Sequence, residues 1–172
     1  MKSVLISINP KWVEKIESGE KTIEVRKTRP KIDTPFKCYI YMTQGTYKDL
    51  GSYSEWIYKN RMKVIGEFVC DMIELFTEYE LLYDGNYVEK ETRVPTEELL
   101  SYKGKNDFLY GWHISELKFY DKPKELSEFK RWNRTEENAP CAHTKWLYPD
   151  CKDCKACNLT RPPQSYMYVE EL

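Results

Sequence analysis

The chain has 172 residues, enough for one substantial core and too few for two, so residues 1–172 are expected to form a single domain. With 27 Lys and Arg against 28 Asp and Glu the formal charge is -1, which excludes a global field drawing the protein onto a polyanion and leaves only local patches for nucleic acid. A mean hydropathy of -0.73 and the lack of an apolar run near the roughly 18 residues of a spanning helix exclude a helical membrane protein.

The elements follow in chain order. Val4-Leu5-Ile6-Ser7-Ile8 is strand-like, and Asn9-Pro10-Lys11 meets it too early for a signal peptide, so a cytoplasmic location and no membrane partner are expected. Asn9 as N-cap and Pro10 at the first helical position start a short helix, with Trp12, Val13 and Ile16 on one face and Ser18-Gly19 as the stop. Residues 22–27 then alternate polar and apolar, a half-buried strand with Ile23 and Val25 inward and Thr22, Glu24 and Arg26 outward. Residues 36–42 form a third strand, and a short helix is expected near 53–60. The run 63–75 reads as one strand, in which Gly66 marks a bulge or a close backbone approach. Pro95-Thr96-Glu97-Glu98 has the composition of a first helical turn, and 110–120 reads as the longest strand. Leu126, Phe129 and Trp132, three apart in a charged stretch, suit a surface helical turn, and 164–170 is a closing strand. About six strands with short flanking helices make an α+β chain with a curled or closed mixed sheet.

Gly19-Glu20-Lys21-Thr22-Ile23-Glu24-Val25-Arg26 fits G-x-K-x-x-E-x-R, and here the chain resembles the ASCH family of the PUA-like group over most of residues 1–125. The resemblance implies a PUA-like mixed or antiparallel β-barrel with a cleft beside the motif, and RNA binding, ribonuclease activity or hydrolysis of an acylated nucleoside. The ending 161–171 resembles that of ASCH proteins carried by phages and prophages. A phage protein blocking a host factor by surface contact is therefore a third reading.

Glu24 and Arg26, two apart on a strand, leave the same face, with Lys21 entering from the preceding turn. A strand bearing such charges is often only a solvated face with weak ion pairs. The motif in its context, after a helix ending in Gly, favours a cleft that binds RNA or a nucleoside-like or nucleotide ligand. Arg26 can fork onto a phosphate and Lys21 can act as a point charge. The ligand-binding set is Lys21, Thr22, Glu24, Arg26, Lys11, Trp12 and Ser165, where Ser165 is inferred from the family's barrel closure. In an enzyme Lys21 and Glu24 would be catalytic. The resemblance to the nucleoside-amidohydrolase branch stops at Glu24, which stands where that branch has a threonine nucleophile. Backbone N–H groups of residues 10–13 form a second candidate anion site.

Cys141, His143, Cys151, Cys154 and Cys157 put five ligands within seventeen positions, the last three at C-x2-C spacing. Zn²⁺ takes four such ligands tetrahedrally, so a structural zinc is expected on four of these five, pinning residues 133–160 as an insertion before the last strand. Cys38 and Cys70 read as small core residues, and Trp112 as core rather than a base platform.

Overall fold

The computed structural model describes residues 2–45, 53–132 and 158–172. In chain order these hold β1 (Lys2–Ile8), α1 (Pro10–Glu17), β2 (Ile23–Arg26), β3 (Phe36–Met42), α2 (Glu55–Asn60), β4 (Val64–Cys70), β5 (Ile73–Thr77), α3 (Glu78–Tyr83), α4 (Gly85–Thr92), α5 (Thr96–Lys103), β6 (Phe108–His113), β7 (Ser115–Lys124) and β8 (Tyr166–Glu170). The fold is α+β, as expected.

The start of α1 follows from its sequence: the Asn9 side chain accepts from Lys11 N and Pro10 occupies the first turn, while Val13 and Ile16 are buried. Gly19 leaves the helix at φ +74°, where a side chain would be strained. The helices expected near 53–60 and from Pro95 are α2 and α5.

Among the described residues the strands form two sheets, ordered β7-β4-β3-β1-β8 and β2-β6-β5, rather than the single curled or closed sheet expected. β1 and β3 are parallel, and the other pairs are antiparallel. The count rises to eight because two runs that read as single strands each serve both sheets. The run 63–75 divides at Asp71-Met72 into β4 and β5, and 110–120 divides at Ile114 into β6 and β7. The two crossings lie side by side, with His113 N donating to Met72 O at 3.0 Å. Neither crossing carries a Gly or Pro, so the strand-forming residues on its two sides read as one run.

One core cluster gathers Ile6, Val13, Ile40, Phe68 and Trp112. Trp112 is fully buried, as expected, and meets Phe36 edge-on at 5.8 Å. A second cluster packs Ile23, Val25, Phe76 and Leu109 of the small sheet under Leu81, Val88 and Leu99 of α3–α5. The half-buried reading of β2 is corrected on its other face: Arg26 reaches the carbonyls of Ser7 and Ser165, and all four residues of the strand are buried. A third cluster, with Leu5, Tyr39, Tyr41 and Val169, takes in Phe129. The helical turn expected after β7 is a single 3-10 turn at Leu126–Glu128, but it ends before Phe129, which is fully buried, and Arg131 bridges to Val169. Cys38 and Cys70 are buried free thiols, and burial pushes Cys38 well up and Cys70 to about 12.

At Gly66 the β4–β7 register shifts, and an added Cβ would strike the Lys118 carbonyl oxygen of β7 and lie 3.1 Å from Phe119 Cα. The expected bulge and the close approach are both present. Both obstructing groups are backbone, so Gly66→Ala is expected to cost about 1–3 kcal/mol, as overpacking does. Urea unfolding checks this, and a midpoint equal to the wild type would show that β7 yields freely.

Candidate functional site

β2 lies between the two cores, so the face bearing Glu24 and Arg26 turns inward instead of towards bulk solvent. Lys21, Glu24 and Arg26 keep only 2%, 6% and 7% of their surface exposed. The Glu24 carboxylate sits between the cations, Oε2 at 3.5 Å from Lys21 Nζ and Oε1 at 3.1 Å from an Arg26 terminal nitrogen. Lys21 Nζ also donates to the carbonyls of Ile23 and Thr92, both at 2.7 Å. An ammonium has three donors, and these three partners use them. Burial, opposed by Glu24 and reinforced by Arg26 and Lys15, holds the Lys21 amine below the ordinary lysine value of 10.5.

Arg26 is committed less completely. One terminal nitrogen donates to Ser7 O at 2.6 Å and the other approaches Ser165 O at 3.4 Å, while the buried Nε has no partner among the described residues. A guanidinium carries five N–H groups, of which these contacts and Glu24 use three. Beside this group is a cavity of about 210 Å³, walled by Trp12, Glu98 and Tyr102 as well as the three charged residues.

Of the sequence-derived set, Lys21, Glu24, Arg26 and Trp12 come together on this cavity. Lys11 does not line it but contacts two residues that do, pairing with Glu98 at 3.3 Å and placing its amine 4.2 Å from the centre of the Trp12 ring. Thr22 does not join them: its hydroxyl donates to the Glu91 carboxylate of α4. Ser165 contributes its carbonyl to Arg26, while its hydroxyl lies 3.4 Å from that of Thr28. The N-terminus of α1 is not an anion site, because Lys11 N is capped by the Asn9 side chain and the N–H groups of Trp12 and Val13 already donate to Asn9 O. Glu98 and Tyr102 were missed. They arrive on α5, whose sequence marks it as a helix and carries no sign of which site it covers.

Cys141, His143, Cys151, Cys154 and Cys157 lie outside the described residues. Among the described residues no group of three or more His, Cys, Asp or Glu is placed to hold a metal ion. No described helix is long and apolar enough to cross a membrane.

Neither a protein-family model nor a curated protein matches the sequence. The fold itself has solved counterparts. The ASCH protein of Zymomonas mobilis superposes with a TM-score of 0.61 at 16% identity, covering 98% of this chain and 88% of that one. A Ser-to-Ala mutant of that protein gives 0.62 at 16% identity, covering 98% and 89%, and a Tyr-to-Phe mutant 0.59 at 16%, covering 99% and 92%. The described residues thus have the fold of ASCH proteins.

Proposed function

We propose that this is an ASCH-family protein of PUA-like type whose cavity binds one nucleoside-sized unit, either a free nucleoside or nucleotide or a single residue of an RNA strand. The observation that carries this is the buried Lys21, Glu24 and Arg26 group lining a polar cavity that two rings, Trp12 and Tyr102, also line. The volume, about 210 Å³, is below the ~300–1,000 Å³ of pockets for drug-sized ligands and suits a small ring system. Trp12 and Tyr102 supply aromatic walls, and the exposed Lys27 places its amine 4.7 Å from the centre of the Tyr102 ring. Rings around a pocket with cations beside it are what single-stranded nucleic acid requires.

Tyr102→Ala removes a half-exposed ring without opening the core. It is expected to weaken binding about tenfold or more, since a base–ring stack contributes about 1–3 kcal/mol. Titrating the common nucleosides, their monophosphates and a short single-stranded RNA into wild type and variant tests this, and no saturable binding to the wild type sinks the proposal.

The hydrolase reading is favoured by one observation, the Glu98 carboxylate on the cavity wall, a second acid beside the buried one. Against it, Lys21 spends its three donors on fixed partners, which suits a strut better than a base. Turnover of N-acylated nucleosides or RNA by wild type and not by Glu98→Gln would decide for the enzyme. The Cys-rich segment carries a separate proposal, a structural zinc on four of its five ligands. Metal analysis is expected to give one zinc per chain, and far less would overturn it.

A further inference from the structure

The side of the molecule built from β5, α3 and α4 differs in character from the polar cavity. Of the ten most exposed large hydrophobic side chains among the described residues, Met72, Leu75, Tyr79, Leu82, Tyr83 and Tyr87 fall within this one stretch. Leu75 is 52% exposed and Tyr83 73%, and Tyr79 and Tyr83 stack on one another at 4.6 Å. β5 is the outer strand of its sheet, so its far edge pairs with no strand among the described residues. Beside that edge is a second cavity, of about 460 Å³, between Glu74, Leu75 and Phe76 of β5 and Glu80, Asp84 and Tyr87 of the helical layer.

Charge selects the occupant. Residues 71–91 hold the carboxylates of Asp71, Glu74, Glu78, Glu80, Asp84, Glu89 and Glu91 against the single cation Lys90, in a chain whose overall charge is -1. The side chain of Asp84 has no hydrogen-bond or ion-pair partner among the described residues and faces this cavity. A second copy would set the same carboxylates against each other, and nucleic acid would be repelled.

We propose that the β5 edge docks an extended, basic segment of a partner protein. Its backbone adds a strand to β5, an apolar side chain enters the 460 Å³ cavity, and its Lys or Arg residues meet Glu74, Glu80 and Asp84. The remaining exposed rings, Tyr79 and Tyr83, give the partner further apolar area beyond the strand.

The probe is a capped octapeptide alternating Lys and Val, titrated into the full chain with amide chemical shifts recorded by NMR. Saturable shifts centred on residues 73–88 are expected, with affinity reduced about tenfold or more by Asp84→Lys and by Leu75→Lys, two solvent-facing changes whose melting curves should match the wild type. The proposal is overturned if the wild type does not bind this peptide, if a Glu–Val peptide binds as tightly, or if the shifts lie elsewhere. It is also overturned if sedimentation shows a wild-type dimer that Leu75→Lys disperses, since the occupant would then be a second copy.

Discussion

Glu24→Ala is expected to lower the free energy of unfolding by about 3–5 kcal/mol, the scale on which removing one member of a buried ionic group destabilises a protein. The Glu24 side chain is 8% exposed and stands within 3.5 Å of Lys21 and 3.1 Å of Arg26, so its removal leaves two cations facing one another out of water. Against the roughly 5–15 kcal/mol that holds a domain together, this is a large fraction. Adding Lys21→Met to Glu24→Ala should recover part of the loss, because one orphaned charge goes with it. Urea denaturation reads both, and a loss below about 1 kcal/mol for the single change would mean that water screens the group as it does a surface pair. The sign of the pH dependence follows from Lys21. Its folded pKa lies below 10.5, so between that lowered value and 10.5 the unfolded chain binds more protons than the folded one and stability from this group rises with pH. Below that window its cost is present in full. Lys21→Met should therefore lose the alkaline rise, which urea midpoints at about pH 7 and about pH 10 compare.

The position of this group was legible in the sequence, whereas its burial was not. Alternation places Glu24 and Arg26 on one face and Ile23 and Val25 on the other, and the structure keeps that division. What alternation cannot say is whether the polar face meets water or a second sheet. Here Arg26 reaches the carbonyls of Ser7 on β1 and Ser165 before β8, contacts separated from it by 19 and 139 residues. Thr22 shows the same limit in reverse: it shares parity with Glu24, yet Glu91 of α4 claims its hydroxyl, and nothing in residues 76–94 had been read as helix. Local signals did better where local chemistry decides the outcome. Asn9 and Pro10 started a helix as expected, and Gly66 marked a real close approach, because capping and steric room are settled within a few residues. The two sheet crossings failed as predictions because neither carries a Gly or Pro: Asp71-Met72 and Ile114 sit inside runs of strand-forming residues.

Arg26→Lys separates anchoring from charge and is expected to weaken nucleotide binding by about 10–100-fold, the equivalent of losing one or two charge-assisted hydrogen bonds. Lysine keeps the positive charge beside Glu24, so the fold should hold far better than in Glu24→Ala. It cannot keep the geometry. The guanidinium spans Ser7 O, Ser165 O and Glu24 with its two terminal nitrogens and keeps N–H groups to spare, whereas an ammonium offers three donors from a single atom. With those spent on the same three partners, nothing remains for a ligand oxygen, the condition in which Lys21 already sits. Calorimetric titration of nucleoside monophosphates into both proteins measures the difference. Equal affinity would remove Arg26 as the anchor and leave recognition to Trp12, Tyr102 and Lys27, where charge without fork geometry would suffice.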